Sequence, residues 1–227
     1  VRHDLAMCSP DFVRELAEHH SARNLPVSPD HVSPQVLKLM QKPDAQTFDR
    51  FLVQLESAAK ETGLSVSLLP SFLSGHPGAT LEETIELARY LKQRHLRPLL
   101  VQDFIPTPMS LATAMYHSGR DPLSTGSQRP VYAAKRLRDK KLLRAVLMYW
   151  DRSQHELARE ALLLAGRRDL IGHTPDCLVP PALPQQRTRS LQIAHGRAPR
   201  QPMRHKPSLG AAPPPALRNS EDPAPLT

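Results

Sequence analysis

The chain has 227 residues, a net charge of +8 and 40% hydrophobic residues, which suits one large globular domain or two small ones. The sequence has no apolar run of about 18 residues and no apolar stretch near its first residue, which argues against a membrane span and a secretory signal. Two cysteines are too few for a disulfide scaffold, so we expect a cytoplasmic protein.

The first hundred residues alternate between amphipathic stretches and short apolar runs. This rhythm is typical of βαβ units, which build a parallel sheet. Ser-Pro pairs mark helix starts, and a glycine or proline marks several helix ends. In chain order these signals predict helix 9–20, strand 25–28, helix 33–43, helix 48–63, strand 66–73, helix 80–95 and strand 99–104.

The unit that begins at residue 66 carries the clearest pattern. The apolar run 66–73 is too short for a helix and leads through the loop 74–78 into Thr80-x-x-Glu83, the pattern of a capping box. The pattern therefore predicts a strand, a loop and a helix in succession.

The second half of the chain changes in composition. Residues 106–131 are rich in Pro, Gly, Ser and Thr, which indicates a long functional or inter-domain connection, and we place a boundary near Ser118. A basic amphipathic helix follows at 136–150, and Ser153-x-x-Glu156 predicts a capping box for a last helix that ends at Gly166. The tail holds 11 of the 24 prolines and seven basic residues, so we expect it to be disordered. The predicted domains are 1–118, 119–179 and 180–227.

Turn residues follow the predicted strands 66–73 and 99–104. Ligand atoms of barrel-type α/β proteins lie at such strand ends, so the segments SGHPG and QDF are candidates for a binding site. Ordinary strand-to-helix turns use the same residue types, and this alternative stays open.

Seven segments occur in a characteristic order: VRHDLAM, SPDFVRELAEHH, LPVSPDHVSPQVLKLMQKP, DRFLVQLESAAKETG, SFLSGHPGATLEETIELARYLKQ, VQDFIPTPMSLATAMYHSG and EALLLAGRRDLIGHTPDCLVP. From residue 1 to about 180 this order resembles the C-terminal part of the YgiQ family of radical SAM proteins. The resemblance implies an α/β fold in which residues 1–118 are the C-terminal half of a partial (β/α)6 TIM-like barrel. A small helical module, the family's C-terminal extension, and the disordered tail would follow.

The resemblance also implies two cofactors in intact relatives, S-adenosylmethionine and a 4Fe-4S cluster, which act in radical chemistry on an unknown substrate. A C-x3-C-x2-C motif holds such a cluster, because thiolates are the ligands that iron–sulfur clusters require. Cys8 and Cys177 are single cysteines, so the cluster ligands are absent and we assign no metal ligand here. We therefore expect a partial chain that begins with Val, is inactive alone and depends on a separately encoded N-terminal half-barrel.

For S-adenosylmethionine, the resemblance implies contacts from three strand ends. These cofactor-binding candidates are Ser28, Asp30, Phe72, Leu73, Ser74, Gly75, Gln102, Asp103 and Phe104.

Several other features have a functional and a structural interpretation. His19-His20 would suit a metal or a solvated helix end, and His31 and His76 would suit acid–base roles or single structural hydrogen bonds. A basic cluster (Lys135, Arg136, Arg138, Lys140, Lys141 and Arg144) and the tail arginines suggest an alternative function: a non-catalytic remnant that binds an acidic partner or nucleic acid. Because no set of stacking aromatics accompanies these cations, nucleic acid is the less favoured partner. A truncated gene product without an independent role is the third alternative.

Overall fold

The sheet consists of three parallel strands in the order β1-β2-β3. They are β1 (Leu25–Asp30), β2 (Leu68–Ser74) and β3 (Val101–Asp103). The computed structural model describes residues 1–20, 25–64, 66–98, 101–124 and 129–182. From residue 183 onward, the predicted disordered tail lies outside the described residues. The fold is α/β with a small parallel sheet, as the alternation of apolar runs and helical stretches predicts.

The helices connect the strands and follow the last of them. In chain order the described α-helices are α1 (His3–Ala6), α2 (Pro10–His19), α3 (Pro34–Met40), α4 (Ala45–Thr62), α5 (Leu81–Gln93), α6 (Leu111–Ser118), α7 (Leu137–Leu147) and α8 (His155–Leu164). No described helix combines the length and the apolar character needed to cross a membrane.

Three predicted helix boundaries are confirmed by local hydrogen bonds or backbone conformation, whereas α4 begins at Ala45, three residues before the predicted start. The Ser9 hydroxyl accepts a hydrogen bond from the backbone N–H of Phe12 at 3.3 Å, which begins α2. Gly63, with φ of 69°, ends α4 in the left-handed conformation that glycine adopts without strain. The Glu83 carboxylate accepts from the backbone N–H of Thr80 at 3.1 Å, as the predicted capping box requires.

Two sequence predictions were wrong in detail. The capping box expected at Ser153 does not form, because the Asp151 carboxylate accepts from the Ser153 N–H at 2.9 Å and begins a 3-10 turn ahead of α8. The connection expected at 106–131 contains a helix, α6, which the Ser110 hydroxyl caps by accepting from the backbone N–H of Thr113 at 3.2 Å. The abundance of Ser, Thr and Pro hid this cap among loop residues. The short helix α1 was not predicted either.

Alternate residues of β1 and β2 are buried, so the sheet has two different faces. Val27 pairs in register with Pro70, and Phe72 pairs with Val101, and all four are buried. We call this side the covered face. The other side, the open face, is exposed or half-buried and consists of Pro26, Ser28, Leu69, Ser71, Leu73 and Gln102.

Two clusters of buried residues fill the space beside the covered face. One joins β1 to α1, α2 and α4, and the other joins Phe72 and Val101 to α5, α7 and α8. The helices beyond residue 118 therefore share a hydrophobic core with the sheet. The domain boundary near Ser118 stays a prediction.

Candidate functional site at the strand ends

The carboxyl ends of the three strands lie side by side at one edge of the sheet. Asp30 is opposite Phe72, and Ser74 is opposite Asp103. Because parallel strands point the same way, the loops that follow them gather at this edge. The nine residues predicted to bind a cofactor lie on these strands or directly after them.

Three of the nine residues belong to the open face. The Ser28 hydroxyl accepts a hydrogen bond from the hydroxyl of Ser71 at 2.9 Å, which links β1 to β2. Leu73 pairs in register with Gln102, and the Gln102 side chain is exposed. The open face thus presents the hydroxyls of Ser28 and Ser71 and the amide of Gln102 beside the apolar side chains of Pro26, Leu69 and Leu73.

Lys42 fixes the end of β1. Its ammonium group forms an ion pair with Asp30 and donates a hydrogen bond to the backbone carbonyl of Ser28 at 2.9 Å. Asp30 has φ of 62°, a left-handed conformation that is uncommon outside glycine. Sequence reasoning missed Lys42, because nothing in the pattern shows that α3 and its end return this lysine to β1.

Phe72, Ser74 and Gly75 lie on the covered side of β2. Phe72 is 1% exposed in the core, and the buried Ser74 hydroxyl has no hydrogen-bond partner among the described residues. Gly75 has φ of 72°, and a Cβ atom there would lie 3.9 Å from the Leu143 side chain of α7. The positive φ explains why glycine occupies position 75, and Leu143 of α7 covers it on one side.

The end of β3 is joined to the helices that follow it. Arg144 of α7 donates a hydrogen bond to the Asp103 carboxylate at 2.7 Å. The Phe104 ring meets the edge of the His76 ring at a centroid distance of 5.5 Å and also contacts Tyr116 at 5.7 Å. These contacts attach α6 and α7 to the strand ends.

Two buried histidines lie beside this edge. His31 Nδ1 accepts a hydrogen bond from the Ser33 N–H at 3.0 Å, so its proton is on Nε2. His76 Nδ1 lies 2.8 Å from the carbonyl of Pro77, which can only accept, so the proton of His76 is on Nδ1. The two rings therefore have opposite tautomers, with a donor at one Nε2 and an acceptor at the other.

Burial disfavours the charged form of both histidines. Burial, with a smaller effect of the neighbouring His76, lowers the pKa of His31 to about 3. Burial also lowers the pKa of His76, against the opposing effects of its hydrogen bond to Pro77 and of Asp30. The acid–base role of these histidines stays a prediction.

The described residues contain no group of three or more His, Cys, Asp or Glu side chains placed to hold a metal ion. Cys8 is exposed, whereas Cys177 is buried with its sulfur 3.0 Å from the hydroxyl of Thr174.

Four of the six basic residues proposed as a cluster have intramolecular partners. Lys135 donates to the His117 carbonyl, Arg138 pairs with Glu160, Lys140 lies over the Tyr116 ring, and Arg144 pairs with Asp103. Arg138, Lys140 and Arg144 attach α7 to its neighbours, and Lys135 attaches the segment before α7 to the end of α6. Nucleic-acid binding by this helix stays a prediction. Arg136 and Lys141 are the members of the proposed cluster for which the described residues show no such partner.

The sequence is similar to curated proteins of several bacteria. It is 45% identical over 183 residues to the UPF0313 protein of Rhodopseudomonas palustris, and 42% identical over 183 residues to that of Bradyrhizobium diazoefficiens. It is 41% identical over 182 residues to a UPF0313 protein of Clostridium botulinum. Residues 100–215, about half of the chain, match the domain of unknown function DUF3362.

The chain belongs to the YgiQ family, UPF0313. The matches cover 79% of this chain but only 27–28% of the R. palustris, B. diazoefficiens and C. botulinum relatives. No solved structure is significantly similar to the chain. The DUF3362 match begins before β3 and therefore includes Asp103, Phe104 and the described helices α6, α7 and α8.

Proposed function

We propose that this YgiQ-family chain forms the C-terminal part of a radical SAM site, within a partial (β/α)6 TIM-like barrel. The observation that carries the proposal is the difference between the two faces of the sheet. Parallel sheets are normally covered on both faces, whereas here one face packs against helices and the other carries Ser28, Ser71, Leu73 and Gln102 at the surface. The strands also occur in sequential order with helical connections, as consecutive barrel units would.

The open face fits a ligand that has both polar and apolar parts. In this proposal the Ser28 hydroxyl and the Gln102 amide bind polar groups of S-adenosylmethionine, and Leu73 contacts an apolar part of it. Phe72 and Ser74 lie on the covered side and support this wall from behind. S-adenosylmethionine supplies radical chemistry when it is bound to a reduced iron–sulfur cluster.

The residues of this chain do not fit the cluster itself. Three thiolates are needed at the C-x3-C-x2-C spacing, and the chain has only two cysteines, at positions 8 and 177. We propose that another stretch of polypeptide, such as a separately encoded N-terminal half-barrel or the preceding part of a longer protein, holds the cluster. This chain alone is then inactive, and it acts by orienting the cofactor and substrate in the cytoplasm.

A chimaera tests the proposal. This chain replaces the matching 27% of the R. palustris relative, and the hybrid is reconstituted anaerobically with iron and sulfide. We expect cluster absorbance and reductive cleavage of S-adenosylmethionine. The variant Gln102→Ala is expected to lower the cleavage rate about tenfold by loss of a hydrogen bond, with the absorbance unchanged. Gln46→Ala, an exposed glutamine on α4, is the control and is expected to keep the rate.

Two results would contradict the proposal. One is a hybrid that carries the cluster but leaves S-adenosylmethionine intact. The other is an equal loss of rate in the Gln102 and Gln46 variants, which would show that the open face has no special role.

A further inference from the structure

A cavity of about 810 Å³ lies apart from the open face. It is a cleft open to solvent on one side and lined by α3, the start of α5, α6 and the segments next to α6. Its walls include Lys38, Leu39, Leu111, Met115, Arg129 and Val131. The volume is in the range of small-molecule sites, and none of the nine residues predicted for the cofactor lines it.

Backbone hydrogen bonds hold the walls of this cavity together. The Val131 N–H donates to the Gly119 carbonyl at 2.8 Å, and the Asp121 N–H donates to the Arg129 carbonyl at 2.9 Å. The Gly78 N–H donates to the Tyr132 carbonyl at 2.7 Å, which attaches this pair of segments to the loop before α5. Backbone hydrogen bonds thus join the three chain segments that form the walls of the cavity.

One side of the cavity is apolar. Met115 is 2% exposed and Val131 is 9% exposed, while Leu111 is partly open to solvent. Leu39 packs over Gly78, where a Cβ atom would overlap the Leu39 side chain. Glycine at this position therefore brings α3 close to the loop before α5 and places Leu39 in the wall.

The carboxylates that line the cavity have hydrogen-bond partners, whereas its two cations have no ion-pair partner among the described residues. The Glu83 carboxylate accepts from the Thr80 N–H at 3.1 Å, and the Asp121 carboxylate accepts from the Leu123 N–H at 2.9 Å. Lys38 and Arg129 are exposed, and neither side chain has an ion-pair partner among the described residues. Two cations that have no ion-pair partner in the described part of the chain therefore lie beside an apolar wall, whereas local N–H groups partly satisfy the two carboxylates.

We propose that this cavity binds an amphipathic small-molecule anion, which has an apolar body and a terminal carboxylate or phosphate. The apolar body contacts Leu39, Met115 and Val131, and the anionic group binds Lys38 and Arg129. Charge-assisted hydrogen bonds to these cations are stronger than neutral ones and select the anion. The proposal is independent of S-adenosylmethionine, because the two sites share no predicted contact residue.

Titration calorimetry on the 227-residue chain tests the proposal with four eight-carbon probes. We expect octanoate and octyl phosphate to bind about tenfold more tightly than octan-1-ol and octylamine, a factor that corresponds to one or two charge-assisted hydrogen bonds. A preference for octyl phosphate over octanoate would identify the anionic group as a phosphate, and the reverse would identify a carboxylate.

Three variants locate the binding. The double variant Lys38→Gln, Arg129→Gln is expected to lose the tenfold preference, whereas Lys60→Gln, which removes an exposed lysine on α4, is expected to keep it. Leu111→Trp is expected to narrow the cavity and weaken binding with an unchanged melting temperature. Equal affinity for octanoate and octan-1-ol, or unchanged binding by the Leu111 variant, would overturn the proposal.

Discussion

His31 is expected to make the stability of this protein fall as the pH is lowered from 7.5 to 5. The ring is 2% exposed and its Nδ1 accepts the Ser33 N–H, so the folded protein holds it neutral with a pKa of about 3. In the unfolded chain the ring takes its ordinary pKa of 6.5 and binds a proton between these two values. Between pH 6.5 and pH 3 the unfolded state therefore binds a proton at His31 that the folded state does not bind, and this lowers the free energy of unfolding. The stabilisation by neutral His31 is complete above pH 6.5 and is lost as the pH falls towards 3.

The magnitude at pH 5 depends mainly on the unfolded state. One pKa unit corresponds to about 1.4 kcal/mol, and pH 5 lies about 1.5 units below the ordinary pKa of histidine. His31 therefore lowers the free energy of unfolding by about 2 kcal/mol at pH 5 relative to pH 7.5. Burial also lowers the pKa of His76 and of His3, so these two add to the same trend.

The variant His31→Asn isolates the contribution of one ring, because an amide oxygen can accept the Ser33 N–H and does not titrate. Urea unfolding, followed by circular dichroism at both pH values, gives the difference in unfolding free energy between the parent and the variant. We expect this difference to shrink by about 2 kcal/mol at pH 5, since both proteins keep His3 and His76 and the effect of His76 on the pKa of His31 is smaller than that of burial. A difference that is the same at both pH values, or a His31 NMR signal that titrates near pH 6.5, would refute the argument.

Two further predictions concern packing, and urea unfolding measures both. Gly78→Ala is expected to cost about 2–3 kcal/mol, because φ of 91° is strained for alanine and the new Cβ overlaps Leu39. In a Leu39→Ala background only the backbone cost of about 1–2 kcal/mol should remain, and equal costs in both backgrounds would exclude the overlap. Leu143→Ala, at a position that is 2% exposed beside Gly75, is expected to cost about 2–5 kcal/mol. Leu163→Ala, at a position that is 50% exposed, should cost less than about 0.5 kcal/mol, and a similar loss in both would contradict the packing.

At the strand ends, sequence patterns predicted the strands but not the direction of each side chain. Apolar runs with turn residues behind them predicted β2 and β3, and parallel pairing then brought Ser74 beside Asp103. The pattern did not show which of the two apolar side chains, Phe72 or Leu73, lies on the covered face. Adjacent residues of a strand point to opposite faces, and only packing decided that Phe72 faces the helices while Leu73 faces outward.

Local patterns of residues were enough to predict the alternation of strands and helices, the caps at Ser9, Thr80 and Gly63, and the family resemblance. These features depend on short-range periodicity and on residues within one turn of each other. The ion pairs of Lys42 with Asp30 and of Arg144 with Asp103 became visible in the folded structure alone. Such contacts join residues of different elements, and their partners follow from how buried faces pack together, which no local pattern encodes.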